Sequence, residues 1–84
     1  MEKIINDVIR EVTNRQARNG LEDKPGMVWG MEIAEKFGNM SKAINEFYCK
    51  PSDEMEEIIY NETIQTIVSC MLMLDNIERI NSIE

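Results

Sequence analysis

The most apolar stretch of this chain is Ile64-Gln65-Thr66-Ile67-Val68-Ser69-Cys70-Met71-Leu72-Met73-Leu74, and Glu62 lies just before its first residue. The stretch predicts a helix that is apolar nearly all round and needs neighbours on more than one side. Glu62 and Gln65 are three residues apart and share one face of that helix. A carboxylate beside such a surface must recover its lost hydration from a metal, a cation or hydrogen bonds. The two residues are therefore either a ligand pair in a pocket or the solvated edge of a core helix.

Two more helices precede this one, so the sequence predicts an all-α fold with a single domain over residues 1–84. The first helix, roughly 2–18, carries apolar residues at i, i+4 spacing and ends at Asn19-Gly20, before a loop over residues 21–26. The second, roughly 27–49, has a heptad-like seam. Pro51 ends it, and Ser52 or Asp53 caps a third helix over about 53–80. The seam residues are Gly30, Ile33, Phe37, Met40, Ile44 and Phe47.

Three helices are too few to cover the third helix on all sides. We therefore expect an antiparallel bundle that is completed by oligomerisation, as a dimer or tetramer. Five residues of the third helix are expected to remain uncovered in a single chain: Ile64, Ile67, Val68, Met71 and Leu74.

Charge and composition narrow the function. The net charge is −7, and residues 51–84 carry one basic residue, Arg79, against eight acidic ones, so this surface should repel duplex DNA. The chain has no His, which excludes His-based acid–base catalysis. Cys49 and Cys70 stand alone, as is typical of reduced core residues in a cytoplasmic protein. Neither a signal peptide nor a membrane span is expected, because the N-terminus is polar and the longest apolar run is short.

Glu32, Glu35, Lys36 and Asn39 share a second stripe, on helix two. Two carboxylates on one helix, facing a third on the next, are a way for helical bundles to hold a divalent metal. An ordinary solvated face with a Glu32–Lys36 pair is the alternative interpretation, and the spacing by itself favours it.

An ordered set of residues resembles the small MazG-like proteins of bacteriophages, which belong to the all-α nucleoside triphosphate pyrophosphohydrolases. The resemblance covers about residues 10–79. It rests on Arg15-Gln16-x-Arg18-Asn19-Gly20, Trp29, Ile33-x-Glu35-Lys36-Phe37-Gly38-Asn39, Lys42-Ala43 and Glu62-x-x-Gln65. In that family, carboxylates hold magnesium, which carries the triphosphate and activates the attacking water.

The resemblance assigns Glu35 and Glu62 to that metal site, with Glu32 as a displaced third ligand. Lys36, Asn39 and Gln65 stand where the family has carboxylates, so magnesium binding is expected to be weak. Lys36 is instead expected to contact a phosphate. The ligand-binding residues implied by the resemblance are Arg15, Arg18, Trp29, Lys36, Asn39 and Gln65.

The sequence therefore predicts an oligomeric, cytoplasmic protein that binds a nucleotide or cyclic oligonucleotide and is catalytically impaired. If it is phage-encoded, the resemblance implies a sponge for a host defence signal. One alternative is an active magnesium-dependent pyrophosphohydrolase. Another is an acidic inhibitor of a host enzyme, with Asp53, Glu54, Glu56 and Glu57 as its contact surface.

Overall fold

The fold consists of three helices joined by two short connections. A computed structural model describes the backbone of residues 1–83 and the side chains of residues 1–81. The helices are α1 (Glu2–Asn19), α2 (Gly26–Cys49) and α3 (Asp53–Ile83), and the described residues include no strand. The all-α prediction is confirmed, and the helix bounds lie within a few residues of those expected.

Local signals in the sequence set two of the helix ends. Gly20 ends α1 with φ 70° and ψ −162°, a conformation that residues with a Cβ rarely adopt. Its backbone N–H donates to the carbonyl of Gln16 at 2.8 Å. Ser52, rather than Asp53, caps α3, because its hydroxyl accepts a hydrogen bond from the Met55 N–H at 3.1 Å.

The central helix is α3, and the other two pack against it. α2 forms an antiparallel hairpin with α3 through the turn at residues 50–52. α1 runs in the same direction as α3, since Asp7 near its start meets Tyr60 while the loop that follows α1 meets Asn76. Backbone packing among the described residues joins α3 to α1 and to α2, but does not join α1 to α2.

The core lies along α3, where one side of this helix receives Trp29 from α2 and Val8 from α1. The predicted seam on α2 is wrong in part: Phe37 is 57% exposed, whereas Trp29 is 1% exposed. The side that faces α3 includes Trp29 and Ala43, which the predicted seam did not contain. The buried apolar residues are Val8, Trp29, Ala43, Ile64, Val68 and Leu72.

The uncovered surface of α3 is narrower than the sequence predicts. Ile64 and Val68 are buried, because α1 and α2 together cover that side of the helix. Met71 and Leu74 remain exposed, at 44% and 59%. Ile67 is partly buried and packs against the core.

Both cysteines are free thiols, as predicted. Cys70 is half-buried on α3, but Cys49 is exposed at the end of α2, so its assignment to the core is wrong. Its position explains the difference: it is the last residue of α2, beyond the part of that helix that contributes buried residues. Among the described helices, we find none with the length and apolarity needed to cross a bilayer.

Candidate functional site

Five of the nine residues predicted to form a single site fall into two separate regions of the structure, and the other four lie elsewhere. The first region is an ion-pair network around Trp29, near the start of α2. The second is a small polar pocket between α2 and α3, farther along the hairpin. The two regions differ in how many of their polar side chains are free to contact a ligand.

Four charged side chains neutralise one another beside Trp29. Arg15 donates to Glu22 at 2.7 and 2.9 Å and to Glu32 at 3.0 Å. The Lys24 ammonium lies 2.8 Å from Glu32 and 3.1 Å from Glu22. Two cations thus face two carboxylates, and all four side chains are largely buried. We call this group the Arg15 network. It links α1 and the loop to α2, although the backbones of α1 and α2 do not pack against each other.

The Arg15 network holds its carboxylates in the charged form. Hydrogen bonds from Arg15 lower the pKa of Glu22 to about 2, despite the opposing effect of burial. Burial raises the pKa of Glu32, but hydrogen bonds from Arg15 and Lys24 more than offset it and leave the value at about 2. The same contacts raise the pKa of Arg15. Both carboxylates are therefore ionised, with their charge already balanced by cations of the chain.

Trp29 is fully enclosed. Its indole N–H donates to the side-chain oxygen of Asn76 at 2.7 Å, and the Lys24 ammonium lies 4.5 Å from the centre of its ring. Asn76 is itself 1% exposed; its oxygen also accepts from the Lys24 backbone N–H, and its amide donates to Asp23. The prediction that Trp29 binds a ligand stays untested, but the indole has no free face on which a base could stack.

Two polar atoms remain unpaired next to the Arg15 network. The second carboxylate oxygen of Glu32 and the hydroxyl of Ser69 are buried, and neither has a hydrogen-bond partner of normal geometry. Ser69 nevertheless lies near enough to Glu32 to help lower its pKa.

The polar pocket, which we call the Asn39 pocket, brings together two of the predicted site residues. Asn39 comes from α2 and Glu62 from α3, and both line a cavity of about 320 Å³. Lys42 is the cation of this pocket, and Glu46 adds a second carboxylate. The complete lining is Asn39, Lys42, Ala43, Glu46, Ile58 and Glu62.

The other predicted residues lie outside both regions or at their edges. Lys36 is half-buried on α2, and its backbone carbonyl accepts a hydrogen bond from the Thr66 hydroxyl at 3.3 Å. Gln65 is half-buried on α3. Arg18 and Glu35 are exposed on α1 and α2.

The residues predicted to hold magnesium do not fit such a site in this arrangement. Glu32 is paired with two cations in the Arg15 network, Glu35 is exposed, and Glu62 lies in the Asn39 pocket. Among the described residues, no three acidic or thiol side chains are grouped so that they could hold a metal ion. Magnesium prefers several oxygen ligands in near-octahedral geometry, and these separated side chains do not supply them.

The residues that enclose Trp29 were not predicted from the sequence. Asn76 continues the buried i, i+4 stripe of α3 after Leu72, and a polar residue at such a position indicates a buried partner. Arg79 donates to Asp23 at 2.6 Å and to the carbonyl of Glu22 at 3.1 Å, which attaches the loop to the end of α3. The loop partners had no sequence signal, because their contacts span more than 50 residues.

A second missed contact attaches the start of α1 to α3. Tyr60 donates a hydrogen bond to Asp7, and Lys3 donates to the same carboxylate oxygen at 3.0 Å. The Lys3 ammonium also lies 4.3 Å from the centre of the Tyr60 ring. Hydrogen bonds from Tyr60 and Lys3 lower the pKa of Asp7 to about 2. We expect this group to determine where α1 lies along α3.

No protein-family model matches this chain, and no curated protein or solved structure matches it either.

Proposed function

We propose that this protein binds a nucleotide, or a signal derived from nucleotides, in the Asn39 pocket and turns it over slowly or not at all. The observation that carries the proposal is the meeting of Asn39 and Glu62 in one cavity beside Lys42. These residues come from separate helices, and each belongs to the set whose order in the sequence resembles the MazG-like proteins.

The chemistry of the pocket suits a nucleoside with a phosphate at its edge. The pocket is an open depression whose lining residues are mostly exposed, and its volume of about 320 Å³ lies at the lower end of the roughly 300–1,000 Å³ that is usual for ligand sites. Glu46 and Glu62 are acceptors for ribose hydroxyls or a base amino group, and the Asn39 amide both donates and accepts. Lys42 is the group that would meet a phosphate, with Lys36 nearby on the same helix.

The charge balance supports weak catalysis. Magnesium-dependent hydrolysis needs carboxylates that are free to bind the ion, whereas Glu32 is already paired with Arg15 and Lys24. Moving Glu32 to a metal would leave Arg15 and Lys24 with Glu22 as the one remaining carboxylate of the Arg15 network, at a cost of roughly 1–3 kcal/mol. A protein that binds its ligand without cleaving it would sequester that ligand, which is the proposed role.

A thermal-shift screen against nucleotides and cyclic oligonucleotides, with and without magnesium, tests the proposal. A ligand that binds only the folded protein raises its stability by ~2.7 kcal/mol at one hundred times Kd. Calorimetry with the best ligand should then show that Lys42→Ala and Lys36→Ala weaken binding about tenfold to a hundredfold. Lys50→Ala is the matched control, because Lys50 lies outside the Asn39 pocket, and its affinity should not change.

The same ligand decides the role of Glu62 and the question of turnover. Glu62→Gln should lower the affinity if the carboxylate accepts from a ribose hydroxyl, and should raise it if the carboxylate repels a phosphate. Lys36→Glu combined with Asn39→Glu should increase magnesium affinity. Rapid magnesium-dependent release of pyrophosphate by the unchanged protein would show that the active-enzyme alternative is correct.

A protein-interaction role is the second candidate, and one surface favours it. Asp53, Glu56 and Glu57 line an open groove of about 550 Å³ with Lys3 and Tyr60. If no nucleotide stabilises the protein, or if the Lys42 variant binds the best ligand as tightly as the Lys50 control does, the Asn39 pocket is not a nucleotide site. A basic partner protein at the acidic groove would then be the better-supported function.

A further inference from the structure

The single chain leaves an apolar groove open between α1 and α3. Six side chains line it, and all of them are apolar. The groove has a volume of about 380 Å³, and we call it the α1–α3 groove. Its lining residues are Ile4, Ile5, Val8, Ile9, Ile67 and Met71.

The exposure within this groove is unusual for a surface that faces water. Ile5 and Ile9 are 50% and 54% exposed and Met71 is 44% exposed, although each continues the apolar stripe that holds α1 on α3. Scattered apolar side chains on a surface are ordinary, but a contiguous apolar patch that includes a groove marks a binding surface. The α1–α3 groove therefore has the character of a binding surface.

The chain exposes more surface than a compact monomer of its mass, by about the area that one partner of a stable dimer buries. The accessible surface is 6097 Å². A compact monomer of 9.8 kDa is expected to expose ~5,200 Å², which leaves an excess of roughly 900 Å². A stable dimer buries about 800 Å² on each partner. The radius of gyration of 14.5 Å likewise exceeds the ~12 Å expected for a compact chain of this length.

Charge permits identical chains to meet through α1, as it would through α2, because residues 1–26 and residues 27–50 are each balanced in charge. The net charge of −7 makes two copies repel each other, unless they meet through a surface that lacks the acidic excess. Residues 1–26, which include α1, carry five basic and five acidic side chains. None of the groove-lining side chains is charged, so an interface there buries no unpaired ion.

The shape of the face fits a twofold arrangement. Ile5 and Ile9 are one helical turn apart and form a ridge beside the groove, and i±4 ridges pack into the grooves of a facing helix. A twofold interface requires one patch to present both the ridge and the groove that receives it. We propose that the protein is a homodimer whose twofold interface is the α1–α3 groove. This inference does not depend on the Asn39 pocket, which α2 and α3 form from other residues.

Sedimentation equilibrium of the full chain at micromolar concentration provides the first test. The expected mass is about twice 9.8 kDa. Ile5→Glu combined with Ile9→Glu should raise the dimer dissociation constant at least a hundredfold, since each interface would then bury charges without partners. Phe37→Glu is the matched control: Phe37 is as exposed, but it lies on α2, so the dimer should persist.

Hydrogen exchange of the unchanged protein provides a second test that does not require any variant to fold. Dilution through the dissociation constant should remove protection from α1 first, while the α2–α3 hairpin around Trp29 keeps its protection. A folded monomer at 100 µM would overturn the proposal. It would also be overturned if Phe37→Glu dissociates the dimer, or if dilution exposes α2 rather than α1.

Discussion

Asn76 is the residue on which the enclosure of Trp29 depends, and its replacement gives a sharp test of this structure. Its side-chain oxygen is the acceptor for the indole N–H at 2.7 Å and for the Lys24 backbone N–H at 3.0 Å. Its amide donates to Asp23 at 2.9 Å. Asn76→Ala removes all three hydrogen bonds at a site where both the asparagine and the indole are 1% exposed.

The expected loss can be worked out group by group. A buried indole N–H left without an acceptor costs ~1–3 kcal/mol. The Lys24 N–H lies nearer the surface and can turn to water, so it adds roughly 0.5–1 kcal/mol. The small cavity adds about 1 kcal/mol, because the helices relax only in part. We expect the free energy of unfolding to fall by about 3 kcal/mol, with the melting temperature lowered by roughly 10–20 °C.

Urea unfolding followed by tryptophan fluorescence measures this loss of stability. The signal reports on the surroundings of Trp29, because Trp29 is the only tryptophan. Protein concentration must be the same for every variant, since the proposed dimer would also stabilise the fold. Asn76→Leu keeps most of the volume but not the acceptor, and should lose nearly as much as Asn76→Ala. Asn61→Ala on the exposed side of α3 is the control and should change the free energy by less than ~0.5 kcal/mol. If Asn76→Ala also loses less than 1 kcal/mol, the indole has another acceptor and the reasoning fails.

Two further predictions concern the loop after α1 and the ion pairs beside it. Gly20→Ala should lower the free energy of unfolding by ~1–3 kcal/mol, because the φ of 70° with a ψ of −162° strains any residue with a Cβ. Gly38→Ala, where an added Cβ meets nothing within 4 Å, should raise it by ~0.5–1 kcal/mol, and equal effects in urea titrations would contradict this difference. Stability should be fully present above about pH 5 and fall as the pH drops towards 2, because Glu22 and Glu32 have folded-state pKa values of about 2 against an ordinary 4.5. Unfolding titrations at several pH values check this, and Glu32→Gln should flatten the profile.

Most local structure of this protein follows from short stretches of its sequence. The apolar run from Ile64 to Leu74 defines α3, and Gly20 and Pro51 separate the helices, because capping and periodicity act within a few residues. Asn39 and Glu62 were both named as site residues through the resemblance, and they line one pocket, but the predicted seam of α2 did not include Asn39. Periodicity also predicted that one chain would leave part of α3 uncovered; Met71 and Leu74 are exposed, Ile64 and Val68 are not, and oligomerisation stays a prediction.

Only the tertiary structure decided which cations belong to which carboxylates. Glu32 has the spacing of a metal ligand on α2, but its carboxylate is paired with Arg15 from α1 and Lys24 from the loop. Trp29, which the resemblance placed among ligand-binding residues, lies in the core because Asn76 provides a partner for its N–H from 47 residues away. Such contacts depend on how the three helices pack. The sequence of one helix does not indicate which side chains of a distant segment will contact it.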